Sequence, residues 1–223
     1  MIQALFYKEL IKTQRVILLL VLLFAGFIAY TFIDIAQMFR VSGAVAVWSN
    51  IILKDIVLLP NIKWLPLIAG LFLAITQYTP EMIDKRLKLT LHLPLPENKI
   101  IIIMLAYGLL VLTALYLVSY LVIMGGIGYY FSGELVTSSF YLTIPWFIGG
   151  YAGYLLATWI IYEPVWKQRI FNAIISICTL MLFYIDGKSG AYIPFIPYLL
   201  LILILSFSFL FYSTARFKEG AQY

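Results

Sequence analysis

Apolar blocks and short charged blocks follow one another along this chain. From Val16 to Ile35 the only charge is Asp34. That run is long enough for a bilayer crossing, which takes about 20 residues, and exceeds the roughly 7–15 residues of a signal-peptide core. A mixed stretch follows from Gln37 to Lys63, with Arg40, Lys54, Asp55 and Lys63. The next apolar run, Trp64 to Tyr78, is short and contains Pro66 and Gly70, but Ile62 to Thr76 has no acidic residue and only Lys63 at its edge. It is read as a second span. Ile100 to Met124, Phe140 to Tyr162, Ile170 to Tyr184 and Ile193 to Tyr212 bring the expected number to about six. Aromatic residues crowd several ends, as at Tyr129, Tyr130 and Phe131, where amphipathic rings favour the headgroup region.

Composition agrees with this pattern. The 223 residues are 64% hydrophobic and 11% charged, against roughly 45–50% and about 25% in soluble domains. Mean hydropathy is +1.01. The expected class is an all-α, polytopic integral membrane protein forming one domain over residues 1–223. The net charge of +5 is spread between apolar spans, where anionic lipid and topology account for it better than nucleic acid. With six spans and the N-terminus inside, Lys8, Lys12, Arg15, Lys85, Arg86, Lys88, Lys99, Lys167, Arg169, Arg216 and Lys218 lie inside. Arg40, Lys54, Lys63 and Lys188 lie outside, a split of 11 against 4. Without the short second run, an outward N-terminus gives the same split, but charges beside the first helix weigh most, which favours six spans and cytoplasmic termini. Residues 81–99 are cytoplasmic in both arrangements.

That stretch, "EMIDKRLKLTLHLPLPENK" from Glu81 to Lys99, is the most polar in the chain. It could be a solvated loop, an amphipathic helix on lipid, or a docking element for a cytoplasmic partner. Met82, Ile83, Leu87, Leu89, Leu91, Leu93 and Leu95 favour docking, because they need a surface to cover them. Leu87, Leu89, Leu91 and Leu93 alternate as in a strand, whereas Ile83, Leu87 and Leu91 recur at helical spacing. Pro94 and Pro96 prevent a helix from continuing into the next span.

An acidic residue after the second span, the Lys85–Arg86 pair, "LTLHLPLP" and Lys99 just before the third span resemble the permease subunit of an ABC transporter of the type-2 exporter class. The resemblance implies that "LFYKELIKTQR", Leu5 to Arg15, belongs to an amphipathic elbow helix at residues 1–15, and that residues 79–99 form a segment coupled to a separate ATPase. Carried over residue by residue, Glu81, Lys85, Arg86, Leu87, Thr90, Leu91, Leu93 and Pro94 would make that contact. The loop at 162–169, "YEPVWKQR", would supply a lesser one through Glu163, Trp166, Lys167 and Arg169; an interfacial anchor is the other reading of those residues. The implied partners are two copies of a cytoplasmic ABC ATPase carrying ATP and Mg, a second permease subunit, identical or related, and membrane lipid. No cofactor is expected in this chain, and the implied location is a bacterial inner membrane.

Chemistry within the spans is sparse. His92 is the single histidine and falls in the polar stretch, while the single Cys178 sits in an apolar run. Asp34, Glu134, Glu163 and Asp186 all fall near expected span ends, which argues against a proton relay. "GKS" at 187–189 lacks the glycine five positions earlier that a phosphate-binding loop requires. No catalytic or metal site is therefore expected, and any ATP hydrolysis would belong to a partner. Gly149, Gly153 and Ala157 recur at four, a small-residue face suited to packing within the subunit or to a dimer seam. Thr113, Tyr116, Ser119 and Tyr120 are among the mild polar groups inside the spans; without buried charge a pathway there would suit an apolar or amphipathic cargo, and the other reading is that these hydroxyls bond between helices with no transport role. The alternative function is a non-transporting anchor that recruits or regulates a cytoplasmic partner.

Overall fold

The computed structural model describes residues 2–54, 59–83, 96–185 and 192–218, and every regular element among them is helical. Six helices follow in order: α1 (Ile2–Lys54), α2 (Leu65–Ile83), α3 (Glu97–Tyr130), α4 (Gly133–Tyr162), α5 (Trp166–Met181) and α6 (Ile196–Lys218). Single 3₁₀ turns at Pro60–Ile62 and Ile193–Phe195 lead into α2 and α6. Among the described residues five helical stretches are long and apolar enough to cross a membrane: Ile2–Gly43, Pro60–Ile83, Asn98–Tyr130, Gly133–Tyr162 and Ile193–Thr214. The chain is thus a helical, multi-pass membrane protein.

Two expectations change here. The elbow helix of residues 1–15 is not a separate element. No proline precedes Pro60, and α1 runs without a break until Gly43, whose φ of 73° and ψ of 158° lie outside helical space. A side chain would be strained at that φ, so glycine permits the kink. Much of the mixed stretch after Gln37 is accordingly helical. The other change concerns the apolar run from Ile170 to Tyr184. It becomes α5, with 16 residues, and is not among the five candidate spans. At 1.5 Å per residue α5 measures about 24 Å, short against a hydrocarbon core of about 30 Å, yet it leads from the Glu163 end of α4 to Tyr184 beside Trp64 at the start of α2, the opposite end of the bundle. It ends at 3₁₀-type bonds from Phe183 N to Leu180 O and from Tyr184 N to Met181 O. Phe183 and Tyr184 are both buried, and the Tyr184 ring stacks on Trp64 at 4.8 Å.

The most deeply buried helix is α4, and α2 lies closest against it. A Cβ on Gly70 of α2 would fall inside contact distance of the Gly150 carbonyl oxygen, and one on Gly150 would stand 2.8 Å from the Pro66 carbonyl oxygen. Only glycine allows the two backbones to approach this closely, the device by which helices associate where lipid supplies no hydrophobic drive. Tyr116 of α3 closes the crossing by donating to Pro66 O at 2.7 Å. The short second apolar run is therefore a helix at the centre of the bundle, with Leu73, Ala74 and Tyr78 fully buried.

Candidate functional site

Contacts among helix ends place the start of α1, the end of α2, the end of α4 and the end of α6 at one end of the bundle. Tyr107 of α3 joins them through Thr13, its hydroxyl 2.6 Å from Thr13 Oγ1. The same end holds residues 83 and 96, which flank the polar segment, and both described extremities of the chain. Three glutamates are buried there: Glu9, Glu81 and Glu163.

The first two form a four-residue ion cluster. Lys8 Nζ lies 2.9 Å from Glu81 Oε1, and Lys12 Nζ lies 3.0 Å from the same oxygen. Lys12 also pairs with Glu9 one turn earlier, at 2.9 Å to Oε2. Two carboxylates against two ammonium groups leave the cluster neutral, as a site of low dielectric requires. The helical period explains its location: Lys8, Glu9 and Lys12 fall within two turns of α1, which directs them together at α2. A polar turn that would have lain on lipid in an elbow helix is instead covered by the end of α2.

Glu163 makes the second cluster. It follows α4 directly and accepts from Ser213 Oγ at 2.7 Å on Oε2, while Arg216 Nη1 lies 3.3 Å from its Oε1. Arg169 donates from Nε and Nη2 to the Glu163 carbonyl oxygen at 3.2 and 2.7 Å. The guanidinium also sits 5.7 Å from the Trp166 ring centre. This cluster holds the turn between α4 and α5 against the end of α6.

Between the two clusters runs a buried chain of hydroxyl and amide groups. Tyr162 packs on Tyr78 with ring centres 5.1 Å apart, and Tyr78 OH lies 2.8 Å from Tyr154 OH. Tyr154 donates to Gln77 Oε1 at 2.8 Å, and Gln77 Nε2 donates to Met104 O at 2.8 Å. Among the described residues the Tyr162 hydroxyl and the Trp159 indole nitrogen have no hydrogen-bond partner, although both side chains are buried. The arrangement contains neither a nucleophile–base pair nor, among the described residues, a group of three or more His, Cys, Asp or Glu able to hold a metal. It can fix helix ends relative to one another and respond when a charge in either cluster is moved.

The expected site residues fall into three groups. Of the coupling set only Glu81 is described, and it faces α1; Lys85, Arg86, Leu87, Thr90, Leu91, Leu93 and Pro94 lie outside the described residues. In the second loop Glu163 is buried, whereas Trp166 and Lys167 are exposed. The small-residue face is consumed within the chain. A Cβ on Gly149 would meet Tyr184 at 2.8 Å, one on Gly153 would meet Leu67 Cδ1 at 2.6 Å, and Ala157 is buried.

Sequence reasoning missed Glu9, Tyr78, Tyr154, Tyr162 and Ser213. A weak signal existed, since Glu9 stands three positions before Lys12 and the tyrosines at 154 and 162 recur at eight along one helix face. No protein-family model, no curated protein and no solved structure matches this chain.

Proposed function

We propose that this chain is the permease subunit of an ATP-driven exporter of the ABC type-2 class, in a bacterial inner membrane with both termini cytoplasmic. It works with a second permease subunit and two copies of a separate ATPase, and carries an apolar or amphipathic cargo. One observation carries the reading. The polar segment at 84–95 lies between two helices that are both braced on the same part of α1, α2 through Glu81 to Lys8 and Lys12, and α3 through Tyr107 to Thr13. A push on that segment from a cytoplasmic motor would reach the first spanning helix at once, through an ion cluster on one side and a hydroxyl pair on the other. The buried chain from Gln77 to Tyr162 is uncharged, which favours an apolar or amphipathic cargo over the conduction of ions.

The test is to purify the chain with its native partners, place the complex in lipid nanodiscs, and compare ATP turnover for the wild type and Leu91→Asp. Co-purification of an ATPase that Leu91→Asp releases or uncouples supports the exporter. Recovery of a cytoplasmic partner without nucleotide hydrolysis turns the reading to the membrane anchor.

A further inference from the structure

The two ion clusters at the Glu81 end of the bundle differ in charge. Glu9 and Glu81 cancel Lys8 and Lys12. At the turn between α4 and α5, the single carboxylate of Glu163 meets two guanidiniums, Arg169 and Arg216, so one positive charge is left over among the described residues. Both guanidiniums also retain donors. Each carries five N–H groups in a fixed fork. Arg169 uses two of them, from Nε and Nη2, on the Glu163 carbonyl oxygen, which leaves three. Arg216 pairs with Glu163 Oε1 at 3.3 Å, but that oxygen accepts no hydrogen bond, and among the described residues the guanidinium donates none elsewhere.

This cluster lies where helices leave the hydrocarbon. The candidate spans that contain α4 and most of α6 end at Tyr162 and Thr214, just before Glu163 and Arg216. Beside each guanidinium stands an exposed ring: Trp166, 5.7 Å from Arg169, and Tyr212, 5.8 Å from Arg216. Amphipathic rings of this kind favour the headgroup region. Ile170 and Ile177 continue the Trp166 stripe of α5 at helical spacing and are exposed as well, so apolar surface runs from the cations along α5.

We infer that Arg169 and Arg216 form a binding site for the phosphate of an anionic phospholipid, whose acyl chains lie along the exposed stripe of α5. Guanidinium forks match the oxygens of a phosphate, and the leftover positive charge favours a lipid with net negative charge over one whose own ammonium balances its phosphate. A free anion or an acidic peptide would answer the charge but not the exposed rings and the stripe beside it; a lipid answers all three. Lys167 provides the contrast. It is exposed and carries the same charge, but two residues from Arg169 it projects about 200° away around α5, and it makes no contact with Glu163 among the described residues.

The test is native mass spectrometry of the purified chain, titrated with phosphatidylglycerol and with phosphatidylcholine of the same acyl chains, reading Kd for the first lipid bound. The wild type should bind phosphatidylglycerol about fivefold tighter or more. Arg169→Gln, whose amide can still donate to the Glu163 carbonyl, should lose about fivefold of that preference, the factor that corresponds to about 1 kcal/mol per basic residue near an anionic surface. Arg169→Lys, which keeps the charge, should lose less than Arg169→Gln, and Lys167→Gln should leave the preference nearly intact. Helix content and thermal midpoint check that each variant is folded. Equal affinity for the two lipids in the wild type overturns the inference without recourse to any variant. Equal losses in Arg169→Gln and Lys167→Gln also overturn it, because they would mean diffuse attraction and no site. Displacement of phosphatidylglycerol by inorganic phosphate at constant ionic strength would assign the site to a free anion and overturn the lipid.

Discussion

Lys8 and Glu81 stand 73 positions apart and meet at 2.9 Å, so the second turn of the chain is tied to the last turn of α2. Glu81→Gln removes the acceptor charge shared by Lys8 and Lys12. Lys8 is 40% exposed, so the cost should fall below the ~3–5 kcal/mol of a fully buried pair, at roughly 2 kcal/mol. The measurement is the accessibility of a cysteine placed at the buried Leu5, which should rise severalfold in Glu81→Gln and stay low in Glu81→Asp. Equal accessibility in all three backgrounds would mean that the start of α1 is held by other contacts.

The α2–α4 crossing should tolerate no side chain. Gly70→Ala and Gly150→Ala each force a methyl against a carbonyl oxygen, and because backbone cannot yield as a side chain does, the loss should exceed the 1–3 kcal/mol typical of overpacking. Gly26→Ala and Gly125→Ala, whose new methyls meet nothing within 4 Å, should leave the thermal midpoint unchanged or slightly raised. Yield and thermal midpoint of the four purified variants in one detergent check the contrast.

Removing hydroxyls from the buried tyrosines should have unequal effects. Tyr154→Phe strands Gln77 Oε1 and takes a partner from Tyr78, costing about 1–3 kcal/mol. Tyr162→Phe removes a buried hydroxyl that has no partner among the described residues, and should be neutral or stabilising. Thermal unfolding of both variants decides the matter. A large loss for Tyr162→Phe would reveal a bridging water or a contact with the segment at 84–95.

At the second cluster, Arg216→Ala leaves Glu163 buried with Ser213 as its side-chain donor. A loss of roughly 3 kcal/mol is expected, larger than for Ser213→Ala, because an unbalanced buried carboxylate costs more than a missing hydrogen bond. Arg216→Ala with Glu163→Gln should recover part of that loss. A double-mutant cycle by thermal unfolding measures the coupling.

The apolar blocks made the membrane class and the helical fold legible, because hydrophobic length is a local property of the sequence. The short run became a central helix because Gly70 lets its backbone approach Gly150, whose own lack of a side chain leaves room for the Pro66 carbonyl. What could not be read was pairing at a distance. Glu81 belongs by position to the polar segment and by contact to α1, and the 69 positions between it and Lys12 hide that bond from any periodicity. The extent of α1 was hidden for a related reason. Charges at 8, 9 and 12 resemble an interfacial helix until α2 is present to neutralise them. Spacing alone marks Gly149, Gly153 and Ala157 as a small face, but the neighbours that pack on it decide its use. Gly153→Leu would press on Leu67, so that substitution would report on folding before it reported on transport.

The ion cluster also imposes an order on synthesis. At about 5–20 residues per second, the ribosome takes roughly 3–14 s to pass from Lys12 to Glu81, a separation of 69 positions. Throughout that interval the nascent first helix holds Lys8 without the acceptor that neutralises it in the finished bundle. Lys8, Glu9 and Lys12 together thus carry one net positive charge until Glu81 arrives, and only then does the four-residue cluster close and become neutral.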